Sequence, residues 1–170
     1  MSADRIALTV GTVLFAVVVY ALMLRGWRSR QRRQGDLPPP PRSPGEPAGV
    51  LVGAVPGLFV GTTYAGDWLD RVAVHNLSDR SAGWLELAGD GVHVEREGLP
   101  ELYLPYDVIT EATSGDRLAG KVMGRDGLLL LTWRLGGRLV TSAFRADDHS
   151  AHARLATAVR AHLAVPEGTA

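Results

Sequence analysis

Cysteine is absent from all 170 residues, so disulfides and cysteine-ligated zinc sites are excluded outright. The absence fixes no compartment, because a disulfide-free domain works on either side of a membrane. Lysine is nearly absent too, occurring once, at Lys121, against seventeen arginines. With Ala, Gly and Val abundant, that imbalance reads as high-GC coding bias rather than as chemistry. Net charge is also missing, but the zero joins two unlike parts. Residues 1–49 carry seven Arg against three acids, a net of +4, and residues 50–170 carry a net of −4. So acidic a second part is not a nucleic-acid-binding domain, and no nucleic-acid partner is expected.

Charge is wholly lacking from Ile6 to Leu24, nineteen residues reading IALTVGTVLFAVVVYALML. At the helical rise this run spans about 28 Å, close to the roughly 30 Å of a hydrocarbon core. Thr9 and Thr12 bond back to the preceding turn, and Tyr20 and Trp27 fall towards one end, where amphipathic rings favour the interface. A cleaved signal peptide needs positive charge before the run and a small-residue cleavage site after it. Here only Arg5 precedes it, beside Asp4, whereas Arg25, Arg28, Arg30, Arg32 and Arg33 follow. The expectation is an uncleaved transmembrane helix over 6–24, after an extracytoplasmic N-terminus over 1–5. Flanking arginines are retained inside, which places the remainder at the cytoplasmic face of the plasma membrane and these five side chains against the lipid surface. Ala7 and Gly11 form one small-xxx-small pair, through which two copies of the helix would pair.

Residues 25–49 read as a tether, basic first and then proline-rich. Pro38, Pro39, Pro40, Pro41, Pro44 and Pro47 remove backbone donors and disfavour helix, so 34–49 is expected to be extended and largely unpacked. At about 3.1 Å per residue such a stretch is a spacer of up to roughly 50 Å.

From residue 50 to 163 the pattern is that of one mainly β domain. Strands are expected at Leu58–Val60, Arg71–Val74, Trp84–Leu87, Val92–Glu95, Leu102–Leu104, Leu128–Arg134 and Arg138–Phe144. Gly89-Asp90-Gly91 is hairpin chemistry, and 106–113 reads as a helical turn entering a strand. Asp147 and Asp148 then cap a helix whose apolar stripe is Leu155, Ala156, Val159 and Leu163. Residues 164–170 read as a disordered tail.

About seven short antiparallel strands and one closing C-terminal amphipathic helix resemble the pleckstrin-homology (PH)-like barrel. The segments Tyr64 with Trp68-Leu69-Asp70-Arg71-Val72-Ala73-Val74-His75-Asn76-Leu77, Arg80 to Leu85, Ala119 to Val122, Gly127 to Leu129 with Trp133, and Phe144-Arg145 carry a closer likeness. In these the chain resembles a family of short actinobacterial membrane proteins with an N-terminal anchor and a PH-like domain, often labelled export or membrane protein or transporter. The resemblance implies architecture and little about activity.

No catalytic constellation, cofactor site or metal site emerges. Gly115 to Val122 nearly spells a phosphate loop, but Val122 stands where the magnesium-binding hydroxyl belongs, so the stretch reads as a loop and hairpin. Inositide binding by a PH-like domain needs basic residues around the first two strands, and Asp67 and Asp70 stand there against Arg71. His149 and His152 read as solvated helix residues, and His93 falls on the polar face of a strand. His75 is either a hydrogen-bonded buried residue or a contact residue. Trp68, Trp84 and Trp133 read as core or rim packing. Grouped with Tyr64 on one face they would make an aromatic patch, so Tyr64, Trp68 and His75 are the candidate contacts for a protein partner. The expected function is a non-enzymatic protein-interaction module held at the inner membrane face. The alternative is an accessory subunit of a transport or export assembly.

Overall fold

The computed structural model describes residues 3–115, 117–118, 121–122 and 127–163. The chain divides into two compact units, Met1–Asp36 and Leu37–Ala170.

The first unit is one helix, α1 (Ala3–Arg33). Between Leu8 and Gly26 it is long and apolar enough to cross a membrane, and none of that stretch is buried. Leu8, Leu14, Phe15 and Met23 are each more than 60% exposed, so the helix is apolar all round rather than along one stripe. Such a surface suits lipid and not water. Thr12 Oγ1 donates to the Leu8 carbonyl at 2.9 Å, the back-bond expected of a hydroxyl in an apolar helix.

Among the described residues of the second unit ten strands precede a helix. They are β1 (Val50–Tyr64), β2 (Asp67–Arg71), β3 (Ser81–Ala88), β4 (Gly91–Arg96), β5 (Leu102–Pro105), β6 (Ile109–Gly115), β7 (Arg117–Leu118), β8 (Lys121–Val122), β9 (Leu128–Leu135) and β10 (Arg138–Ala146). The helix α2 spans Ala151–Leu163. The main sheet runs β5-β4-β3-β1-β10-β9-β6, with β2 paired to the end of β1, while β7 and β8 pair only with each other. Every pairing is antiparallel. The sheet is not closed, since β5 and β6 are its two ends.

β1 holds the two halves together. Its first part pairs with β3 and its last part with β10. Where the partners change, Gly57 faces Gly83 across the ladder. A Cβ on Gly83 would stand 1.9 Å from the Glu95 carbonyl oxygen, and one on Gly57 2.3 Å from that of Arg145. Both strands therefore need glycine where neighbouring backbone approaches this closely. Pro56 is tolerated in β1 because it lies just beyond the end of the β10 ladder, and its carbonyl accepts the Asp147 N–H at 3.1 Å.

Inside lie Phe59, Leu77, Leu85, Leu87, Leu102, Leu104, Leu129 and Trp133, all under 2% exposed. α2 contributes Leu155, Ala156 and Val159 to the same core. Ser150 N donates to Asp148 Oδ1 at 2.9 Å, so Asp148 bonds the turn before α2. A polar line through the core is hydrogen-bonded: Trp133 Nε1 donates to Ser142 Oγ at 2.9 Å, and Ser142 Oγ lies 2.8 Å from Thr62 Oγ1.

Three expectations need correction. Of Arg71–Val74 only Arg71 lies in a strand, because His75 and Asn76 both adopt φ of 56° and turn the chain. Val72 and Leu77 reach the core from this loop instead. β1 begins eight residues before Leu58. The proline-rich stretch is fastened at two points. Leu37 is in the core, and the Ala48 N–H is bonded to Asp90 Oδ1 at 3.0 Å while the Ala48 carbonyl accepts the Gly89 N–H at 2.8 Å.

Candidate interaction surfaces

Tyr64, Trp68 and His75 all lie on the connection from β1 through β2 to β3. Tyr64 ends β1 and pairs with Asp67, and Trp68 follows in β2. The loop folds back on β1 through Val72 N to the Thr62 carbonyl at 3.0 Å and Thr62 N to the Leu77 carbonyl at 2.7 Å. Tyr64 is half-buried, with the Arg138 guanidinium 5.7 Å above its ring. The Trp68 side chain is outside the described residues. The His75 ring is exposed, and its Nε2 donates to the Leu37 carbonyl at 2.8 Å. His75 is therefore hydrogen-bonded but not buried. The three tryptophans do not form one patch, since Trp133 is fully buried and Trp84 is 44% exposed on β3.

Two arginines near this connection, Arg96 and Arg71, are engaged by the fold. Arg96 is buried, and its Nε and Nη2 donate to the Pro100 carbonyl at 2.9 and 2.6 Å. Its Nη1 donates to the Asn76 carbonyl at 2.7 Å, and the guanidinium lies 5.0 Å above the Phe59 ring. Burial lowers the Arg96 pKa, against the pull of Asp79 and Glu95. Arg71 Nη1 donates to the Ser78 carbonyl at 3.1 Å. These guanidiniums knit loops together and face carbonyl oxygens instead of a phosphate cradle.

At the β3–β4 turn a buried polar group went unrecognised in the sequence. His93 is 4% exposed, which corrects its assignment to a polar face. Its Nδ1 lies 2.6 Å from Glu101 Oε1 and its Nε2 3.2 Å from Asp90 Oδ2. Carboxylates only accept, so the imidazolium is the form that bonds both. The Tyr103 ring packs 4.8 Å from the imidazole, and Tyr103 Oη donates to the Asp90 carbonyl at 3.0 Å. Burial works to raise the Asp90 pKa, but the N–H groups of Ala48 and of Asp90 itself, with His93, outweigh it and hold the carboxyl below its ordinary value. Beside this group, burial and then the Asp90 charge push Tyr106 up to about 12, and its hydroxyl donates to the Ala88 carbonyl.

His152 also departs from expectation. It is fully buried, and its Nε2 accepts the Ala146 N–H at 2.8 Å, whereas His149 is exposed as expected. Among the described residues no group of three or more His, Cys, Asp or Glu side chains is arranged to hold a metal. Lys121 and Val122 form a strand, where a phosphate loop would begin a helix. Within the stretch, Asp116 and residues 119–120 lie outside the described residues. Arg25 is exposed on α1, and Arg28, Arg30, Arg32 and Arg33 occupy its last turns.

The sequence reading missed Leu37. It is the only large aliphatic residue between Gln34 and Gly49, and that isolation is the signal that could have found it.

A family model described as "Bacterial PH domain-like" matches residues 34–160. One solved structure similar to this chain is the solution structure of the C-terminal phosphotyrosine interaction domain of APBB2 from mouse. The two are 16% identical with a TM-score of 0.48, over 76% of this chain and 98% of that one. No curated protein matches.

Proposed function

This chain belongs to the bacterial PH domain-like family, and from that premise we propose that it is a single-pass inner-membrane protein whose folded unit binds another protein at the cytoplasmic face, without catalysis of its own. The observation that carries the reading is α1, whose apolar side chains from Leu8 to Met23 are exposed all round the helix. A helix apolar on every side is stable in lipid and a liability in water. The arginines from Arg25 to Arg33 support the orientation, with the N-terminus outside. The motif segments that resemble the short actinobacterial membrane proteins support the same architecture.

Protein binding is favoured over inositide binding because Arg71 and Arg96 are engaged with carbonyls and Asp67, Asp70 and Asp79 stand nearby in the chain. β5 and β6 support it further. Each pairs with one neighbour only, and an end strand presents backbone donors and acceptors to which an extended peptide adds as a further strand. Tyr64, Trp68 and His75, on the connection from β1 through β2 to β3, are proposed as further contacts in the same unit.

The test is protease accessibility of the full chain in sealed inverted membrane vesicles, with a photo-crosslinker at Glu111 on β6. The expected result is a domain exposed on the cytoplasmic side and one discrete protein adduct. A chain recovered in the soluble fraction, or a C-terminal unit exposed only outside, would sink the reading. Replacing residues 6–24 with an unrelated apolar span separates the two roles. A module keeps its adduct, and a subunit whose helix matters in a transport assembly loses its function.

A further inference from the structure

Leu37-Pro38 sits in the second unit much as a bound peptide would. The Leu37 side chain is 5% exposed and belongs to the main core, although the residues around it in sequence are polar or proline. The Leu37 carbonyl accepts a hydrogen bond from His75 Nε2 at 2.8 Å. The Pro38 ring lies on Gly136, where a Cβ would come within 2.4 Å of Pro38 Cδ. Proline has no N–H to leave unsatisfied and is already extended, so it loses little freedom on docking. An apolar slot, one donor and one bare glycine thus receive an aliphatic side chain, one carbonyl and one ring.

The receiving loops have an unusual shape. His75 and Asn76 are the only non-glycine residues with positive φ among the described residues, both at 56°, and Gly136 has φ of 55°. Left-handed backbone is unfavourable for a side-chain-bearing residue such as His75 and persists where surrounding contacts hold it. Here those contacts include the Leu37 carbonyl.

We propose that this slot is a peptide-binding site for an extended segment in which an aliphatic residue precedes proline, and that Leu37-Pro38 is its resident occupant, displaced when a partner presents the same pair. The proposal rests on the protein-interaction reading above and names its ligand class. The occupant is covalently attached, so it competes at an effective concentration in the millimolar range and suppresses binding in trans. His75 is then a binding residue and Gly136 the floor beneath the proline.

The test uses the full chain in lipid nanodiscs and a fluorescein-labelled synthetic peptide with the sequence of residues 35–42, read by fluorescence anisotropy. Leu37→Ala weakens the resident, and the peptide is expected to bind this variant at least tenfold tighter than the unsubstituted chain. A peptide with serine in place of its leucine binds neither. Adding His75→Asn, which tolerates left-handed backbone but shortens the donor, lowers affinity for the peptide about fivefold. Where Leu37→Ala loses its cooperative thermal transition, Pro38→Ala serves instead, since Pro38 is solvent-exposed, and it is expected to gain in the same direction. A folded variant with no gain, or equal binding of the serine peptide, overturns the site. A protein adduct from β6 that neither Leu37→Ala nor excess peptide alters also overturns the site while leaving the interaction reading intact. A tenfold gain with no adduct in cells supports the site and counts against that reading.

Discussion

Gly83 and Gly53 show how differently two glycines of one sheet are constrained. A Cβ on Gly83 would collide with a backbone oxygen that cannot rotate away, whereas one on Gly53 meets nothing within 4 Å. Gly83→Ala is expected to destabilise the folded unit by about 2–3 kcal/mol, and Gly53→Ala to leave it unchanged. Thermal unfolding of the two variants side by side checks this. Asp90 sets a pH dependence of defined sign. Its folded pKa lies below the ordinary carboxylate value of about 3.9, so its contribution is complete above that value and is lost as pH falls through the lower folded one. Stability measured from pH 7 down to 3 should therefore drop mainly below about pH 4, and Asp90→Asn should flatten that limb. His93→Leu removes a side-chain donor that Asp90 and Glu101 share, at an expected cost of about 1–3 kcal/mol. None of this was legible residue by residue. His93 alternates in sequence with Val92 and Val94, so period two placed it outside, and only the nearness of Glu101 and Asp90 makes its burial tolerable.

At the scale of elements, the hairpin of β3 and β4 and α2 were legible because each combines a clean period with turn or cap residues, and the β9–β10 pair because Gly136-Gly137 parts two apolar runs. Asp148 and Leu155 do this for α2. Truncating Leu155 to Ala removes a fully buried side chain where α2 meets the sheet, and a loss of about 3 kcal/mol in denaturant unfolding is expected. The first half of β1 was illegible. Gly53, Pro56 and Gly57 are loop residues by propensity, and β1 overrides them because β3 and the end of β10 supply its ladder. The loop after β2 failed in the opposite direction. Val72, Ala73 and Val74 suit a strand, but His75 and Asn76 turn the chain so that Val72 and Leu77 reach one core. Among the candidate contacts, the expected strand at Arg71–Val74 would have separated Tyr64 and Trp68 from His75, whereas all three lie on the connection from β1 through β2 to β3. The sequence could not foresee that His75 binds a carbonyl thirty-eight residues earlier.

For the whole molecule, the sorting of charge and apolar length along the chain was the most legible feature, since it depends on composition rather than on packing. It leads to a direct expectation under the membrane reading. Leu14→Arg together with Val18→Arg places two guanidiniums near the middle of the apolar stretch, at about 2.5–3.5 kcal/mol each on an insertion scale. That chain should leave the membrane fraction on alkaline carbonate extraction, while the unsubstituted chain stays. Retention of both would mean that α1 is not what holds the protein there.

Seating Leu37 in the folded unit also takes up slack. With it seated, the chain joins the core within four residues of the last helical one. Were it to let go, the loose length would run to Ala48, where the chain is fastened again, several times as far. One leucine would then govern how wide a neighbourhood the domain can sample, and a partner that displaces it would find the domain on a longer leash than before.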